Sequence, residues 1–344
     1  MLHKFLVLIF ALCLSVSTSL AQKQYKVVCV AFYNFENLFD TYDMPGKNDV
    51  EFTPDGANHY TEEIYLEKLD NLATVVSKIG TDVTPDGAAI LGVCEIENRK
   101  VLEDFVKHPK IADRNYQIVH YESPDFRGID NALLYQEKYF KVHSSNTLLM
   151  ISRISGTDTS YSRHILVVEG TLDGDTVAIT VNHWPSRRGG EQATKHLRNG
   201  AAQQNRDLVD RNNARGIKTI VMGDLNDDPI NESVSEILRA GPNKKKIRSG
   251  EMYNPYYEYY KRGLGTTAYR DAWSLFDQII LSSNFVRKTD GFRFHRAEVF
   301  NEPWLTQKLG TYKGYPHRTY SFGSYIGGYS DHFPVYIFLV KESK

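Results

Sequence analysis

Short apolar runs rich in Val, Ile and Tyr recur at residues 27–33, 88–94, 116–121, 132–135, 165–169, 176–183, 218–223, 276–281 and 334–340. Runs of this length, bounded by polar and turn-forming residues, predict strands buried in a sheet. Between them the period changes. Over 61–79, Leu66, Leu69, Leu72, Val76 and Ile79 recur on one face and predict an amphipathic helix. Thr61 can cap it, and Glu62 and Glu63 suit the positive end of its dipole. A second helical pattern starts at Glu191 and runs to about residue 212, and a short one follows Asn231. Asp173-Gly174, lying between two strand patterns, is a hairpin signal.

Strands and helices interleave, yet several strands follow one another directly. That pattern predicts an α/β fold, a four-layered sandwich of two mixed β-sheets packed face to face with helices outside. No internal repeat and no Pro/Gly/Ser linker divides the chain, so a single catalytic domain over 22–344 is expected. The first 21 residues read differently: Lys4, an apolar run from Phe5 to Val16, then Ser17-Thr18-Ser19-Leu20-Ala21. A basic start, a short apolar core and a small-residue exit make a secretory signal pattern. The run is too short to span a bilayer, so cleavage near Ala21, no membrane span and an extracytoplasmic location (secreted or periplasmic) are expected.

Removing that leader takes away one Lys and no acid, leaving 40 basic against 42 acidic residues. Bulk charge therefore does not advertise nucleic-acid binding, and contact with a polyanion would need a local patch. Cys29 and Cys94 sit inside apolar runs and read as small buried side chains. Neither has zinc-site spacing.

The candidate chemistry gathers where the predicted strands end. Asn34-Phe35-Glu36-Asn37 follows the first and Glu95-Ile96-Glu97-Asn98 the second. His183-Trp184-Pro185-Ser186-Arg187-Arg188 and Gly223-Asp224-Leu225-Asn226 follow two more, Asp277 heads another, and Ser330-Asp331-His332 precedes the last. Hydrolysis of a phosphodiester needs a hard cation on a phosphoryl oxygen, a positioned water and a proton for the departing oxygen. Carboxylates suit Mg²⁺, which needs only one or two of them, with Mn²⁺ an alternative. Asn can hold a phosphate oxygen without adding negative charge, and His can move a proton near neutral pH.

These strings, in this order, resemble the endonuclease/exonuclease/phosphatase superfamily, which includes deoxyribonucleases, abasic-site endonucleases, sphingomyelinases and inositol polyphosphate phosphatases. The resemblance runs from Val27 to Val340 and implies a two-sheet sandwich with its site at one end of the sheets. It implies Glu95 as the principal metal ligand, with Asn34, Glu36 and Asp331 near the ion or its waters. Asp224 resembles the residue that orients or deprotonates the attacking water, and Asn226 one that contacts the phosphate. His332 resembles the histidine that binds the phosphate or acts as base, with Asp277 its carboxylate partner. His183 looks like the second histidine of the deoxyribonuclease branch, with Asp130 in the place of its acidic partner. Glu36 stands where Asp is often found, which keeps the charge and changes the reach.

Arg187 and Arg188 follow His183 in a Gly-ended loop, and one of them is expected to grip substrate phosphate; Arg318 is a further candidate. The tyrosines of 253–260 either stack on bases or pack among themselves. Asp227, Asp228 and Glu97 read as solvated turn residues, and Lys244–Arg248 as a solvated charge run. The preferred function is a metal-dependent nuclease acting on DNA or RNA, with no stable protein partner implied. A phosphatase or phosphodiesterase acting on small phosphoesters or phospholipid head groups is the alternative. A non-catalytic binding member would lack some of these groups, and every one is present.

Overall fold

The central apolar runs become strands here because they are covered on both faces. The computed structural model describes residues 24–155, 158–287 and 290–343; the leader expected at 1–21 lies outside them. Thirteen strands build two large sheets. The six-stranded sheet runs, edge to edge, Arg293–Val299, Val335–Glu342, Tyr25–Leu38, Ala88–Ile96, Asp130–Gln136 and Tyr116–His120. The seven-stranded sheet runs Ala240–Gly241, Met252–Tyr253, Asp277–Ser282, Lys218–Asp224, Asp175–His183, Ile165–Leu172 and Phe140–Leu148. Each has a central parallel pair, Tyr25–Leu38 with Ala88–Ile96 and Lys218–Asp224 with Asp175–His183, flanked by antiparallel neighbours.

The inner faces meet in one apolar core that takes Phe32, Ile90 and Leu133 from one sheet and Val168, Ile179 and Met222 from the other. Gly92 marks a close approach of the two sheets, since a Cβ there would stand 2.5 Å from the Met222 sulfur. On the outer face of the seven-stranded sheet, α3 (Glu191–Ala214) lays Ala201, Ala202 and Val209 against Val221 and Ile280. The six-stranded sheet is covered by α1 (Glu62–Val76) and α2 (Arg99–Val106), whose Leu69, Leu72, Val101 and Leu102 join the main core. The expected layering of helices, two sheets and helices is thus observed. No helix among the described residues is long and apolar enough to cross a membrane.

Local chemistry explains the boundaries. The Thr61 side chain accepts the Ile64 N–H and caps α1. Its buried stripe runs through Tyr65, Lys68, Leu69, Leu72 and Val76, while Leu66, a step of about 100° off that stripe, is exposed. Asp173 and Gly174 have φ of 44° and 92°, the paired left-handed conformation of the tight hairpin turn. Cys29 and Cys94 are buried and unpaired. Tyr256 and Tyr259 turn inward, donating their hydroxyls to the carbonyls of Tyr336 and Ala297, so these two tyrosines pack rather than present faces to a ligand.

Candidate active site

In a parallel pair both strands end on the same side, and an antiparallel neighbour begins there. This places His183, Asp224 and Asp277 in one row across three adjacent strands, in register with one another. Opposite them, the six-stranded sheet ends in Asn34, Glu36 and Glu95, and Asp331 and His332 stand just before Val335–Glu342. Four residues at this end have left-handed backbone without being glycine: Glu36 (φ 47°), Asn37 (54°), Glu95 (58°) and Asn226 (50°). Glu95 sits in an irregularity where the register to Asp130–Gln136 shifts between Cys94 and Ile96. Such bulges re-aim a side chain, and strain of about 1–3 kcal/mol per residue persists only where surroundings impose it.

His332 Nδ1 lies 2.7 Å from Asp277 Oδ2. Its Nε2 faces Asp224 Oδ2 at 3.9 Å and Asp331 Oδ1 at 4.0 Å. Burial opposes charge on this ring, yet Asp277, its hydrogen bond, Asp224 and Asp331 outweigh it and hold the pKa well above the ordinary histidine value. Asp224 moves the other way for an acid: burial, against the favourable field of His332, pushes it up to about 7. Its Oδ1 accepts the Asn226 N–H at 2.9 Å and its Oδ2 the Asn34 amide at 3.3 Å. His183 Nε2 stands 3.6 Å from Asp224 and 3.7 Å from Glu95. Burial, then the fields of Arg163, Arg127 and His332, drive its pKa well below the ordinary value, so this second imidazole is neutral.

Glu95 keeps one carboxylate oxygen open. Oε2 accepts the Asn37 N–H at 3.1 Å, while among the described residues Oε1 has only longer contacts, to His183 and, at 3.8 Å, Arg127. An oxygen with no hydrogen bond, beside further carboxylates and amides, suits a hard divalent cation. Glu36 and Asp331 are tied together by Arg318, whose guanidinium lies 3.4 Å from Glu36 and 2.6 Å from Asp331. Glu36 also accepts the Thr319 N–H at 2.8 Å. Burial and Asp331 push its carboxyl up to about 7, against Lys68, Arg318 and the Thr319 N–H. A hollow of about 230 Å³ opens between Glu36, Asn37, Tyr60 and Arg318. The expected ligands Glu95, Glu36 and Asp331 thus line one end of the sheets without converging on a single point. Among the described residues, the side chains that do converge within 4.8 Å are His120, Glu122 and Asp130.

Several expectations change in three dimensions. Asp130 is not the partner of His183: its Oδ2 lies 2.9 Å from His120 Nε2 and its Oδ1 accepts the Ser123 N–H. His120 lies on the neighbouring edge strand of the same sheet and Ser123 in the loop after it, whereas His183 is in the other sheet, with its Nδ1 lacking a partner among the described residues. Arg187 is not free for substrate. Its guanidinium bonds the Asn226 carbonyl, Asp227, Asp228, Asn231 and Glu191. Asp227, Asp228 and Glu97 are buried rather than solvated, Asp227 also held by Arg198 at 2.7 Å. Arg188 is exposed on the loop and Lys244–Lys246 are solvated. The Asn226 amide donates to the Trp184 carbonyl at 3.0 Å.

Arg163 carried no signal in the sequence. Buried, it donates to the carbonyls of His183 and Trp184 at 2.9 Å each and to Asp125 at 3.2 Å, and so fixes the turn that carries His183. Ser330 likewise ties the Asn34 carbonyl to the His332 N–H. Both act on backbone, which composition and spacing do not reveal.

The model of the Endonuclease/Exonuclease/phosphatase family matches residues 29–341, nearly the whole chain. The chain belongs to the endonuclease/exonuclease/phosphatase family. It is therefore a phosphoester hydrolase, of a family that depends on a divalent metal. Comparison with curated protein sequences finds no match. Solved structures share the fold at low identity. An endonuclease/exonuclease/phosphatase family protein of Bacteroides thetaiotaomicron is 15% identical with a TM-score of 0.54, covering 93% of this chain and 97% of its own. A humanized D. rerio TDP2 is 12% identical with a TM-score of 0.54, covering 91% and 98%. A mannosyl-6-phosphatase of Bacteroides thetaiotaomicron is 15% identical with a TM-score of 0.52, covering 91% and 99%.

Proposed function

We propose that this enzyme is an exported nuclease that hydrolyses phosphodiester bonds of DNA or RNA with a divalent cation, Mg²⁺ or Mn²⁺, in place. The observation that carries the reading is the pairing of Asp224, raised toward neutrality by burial, with His332, held cationic by Asp277. Two titratable groups pushed to useful and opposite protonation states are the mark of acid–base assignment. Asp224 takes a proton from the attacking water as the new P–O bond forms. The His332 imidazolium, its Nδ1–H held by Asp277, gives its Nε2 proton to the departing oxygen as the old P–O bond breaks. His183, neutral, offers a hydrogen bond beside them. A cation held through Glu95, with Asn34 and Asp331 near it, would polarise the phosphoryl oxygen.

Nucleic acid is supported by the paired histidines and by the solved D. rerio TDP2 complexed with a single strand DNA product, which shares the fold at 12% identity. Export is supported by the signal pattern of residues 1–21. A second reading, a small phosphoester as substrate, draws on the near-neutral charge and on the similarity in fold to the mannosyl-6-phosphatase. Plasmid DNA, RNA, bis-p-nitrophenyl phosphate and a phosphomonoester, each assayed with Mg²⁺ and with chelator, separate the two. Chelator-sensitive cutting of a nucleic acid is expected. Turnover of the small esters alone would overturn the nuclease reading and leave the second.

A further inference from the structure

Beside the reaction centre lies a larger cleft of about 800 Å³, between the loops at 267–271 and 307–326, and it ends on Arg318 and Asp331. It is thus continuous with the centre through two residues already placed there. Its size falls within the range of small-molecule sites. Its walls carry ring faces in solvent: Phe322 is 89% exposed and Tyr269 71%. Tyr312 lies 6.0 Å from Phe322 at 33° and 5.4 Å from Tyr315. Arg270 spreads its guanidinium over the Tyr269 ring at 5.1 Å.

These rings are presented by braced backbone. Arg270, Asp271 and Phe322 have φ of 50°, 63° and 49°, an unusual conformation for residues other than glycine. The Asp271 N–H donates to the Tyr315 hydroxyl at 2.6 Å, and that hydroxyl donates to the Asp271 carboxylate at 2.7 Å. Trp273 stacks on Phe333, the residue after His332, with centroids 6.1 Å apart. Single exposed aromatics are ordinary, but several lining one concave surface mark a contact site.

Flat apolar faces interleaved with guanidinium groups, next to a centre that handles phosphate, match an unpaired base and its flanking phosphate. A duplex keeps its base faces covered and offers nothing for these rings to stack on. We propose that this cleft binds unpaired nucleobases next to the scissile phosphate, with Phe322 and Tyr312 as stacking platform and Arg270 against a neighbouring phosphate. The proposal rests on the nuclease reading above and adds to it a preference for single-stranded nucleic acid.

The test is fluorescence anisotropy with a labelled single-stranded oligonucleotide and Mg²⁺ in an Asp224→Asn background, which suppresses turnover. Binding is measured with Phe322 intact, with Phe322→Ala and with Phe322→Trp, each against the normal strand, a strand carrying abasic spacers, and a duplex. Phe322→Ala is expected to weaken the normal strand about 5- to 100-fold, the ratio one stacked base carries. The abasic strand should change less than twofold, and Phe322→Trp should restore binding. Equal loss on normal and abasic strands, or a duplex bound as tightly as the single strand, would overturn the cleft assignment while cutting of nucleic acid by the wild-type enzyme leaves the nuclease reading standing. If no nucleic acid is bound or cut while bis-p-nitrophenyl phosphate is hydrolysed, both fall together.

Discussion

Asp224→Asn should abolish activity and, above neutral pH, gain stability relative to wild type. The carboxyl is 2% exposed, and burial holds its pKa at about 7 against an ordinary 3.8. Because the folded carboxyl keeps its proton to higher pH than the unfolded one, its stabilising contribution is complete below 3.8 and is lost as pH rises through about 7. Between pH 5.5 and 8.5 the part that matters is the interval up to neutrality, roughly 1.5 pH units at about 1.4 kcal/mol each, or about 2 kcal/mol. The amide also loses a hydrogen bond, because Asn34 presents an N–H to Asp224 Oδ2 and its own oxygen is committed to the Glu36 N–H. That loss, on the order of 1 kcal/mol, is independent of pH and cancels in the comparison. Urea or thermal unfolding of both proteins in chelator at pH 5.5 and 8.5 gives the number. The Asn variant should improve by about 2 kcal/mol relative to wild type between the two pH values, roughly 4 °C in Tm. A difference that does not move with pH would show that Asp224 is ionised throughout, and retained turnover would show that it is not the base.

Three further outcomes follow from the same geometry. Arg187→Ala should cost about 1–3 kcal/mol in unfolding experiments because it strips a cation from the buried Asp227 and Asp228, whereas Arg188→Ala should not register; equal effects would contradict the clamp described for Arg187. NMR titration of the imidazoles in chelator should find His183 titrating well below the ordinary histidine range and His332 well above it, with Asp277→Asn bringing the His332 titration down. Gly174→Ala, placed at φ 92°, should lose roughly 1 kcal/mol in urea unfolding, and an unchanged midpoint would mean that the hairpin tolerates another turn.

The central strands were legible because they are buried on both faces and read as unbroken apolar runs. The runs at 88–94 and 218–223 correspond to Ala88–Ile96 and Lys218–Asp224. Phe140–Leu148 and Arg293–Val299 were not legible. Each is the outermost strand of its sheet, and edge strands alternate or turn polar because one side meets water. Leu66 misled for a related reason: its hydrophobicity fitted the helix pattern, yet the stripe facing the sheet is set by the neighbouring residues.

At the site the sequence offered residue types and their positions at strand ends, and the family's motif order gave their grouping. Strand-end placement determined that Asn34, Glu95, His183, Asp224 and His332 lie on one side of their sheets, since register and polarity follow from the chain order of parallel and antiparallel neighbours. Partners are a different matter. Whether Asp130 meets His183 or His120, and whether Arg187 meets a phosphate or Asp227 and Asp228, depends on contacts between segments far apart in sequence. Protonation is settled at the same level. The acids and imidazoles begin with ordinary pKa values, and only burial and the charges packed around each of them set Asp224 near neutrality, His183 neutral and His332 cationic.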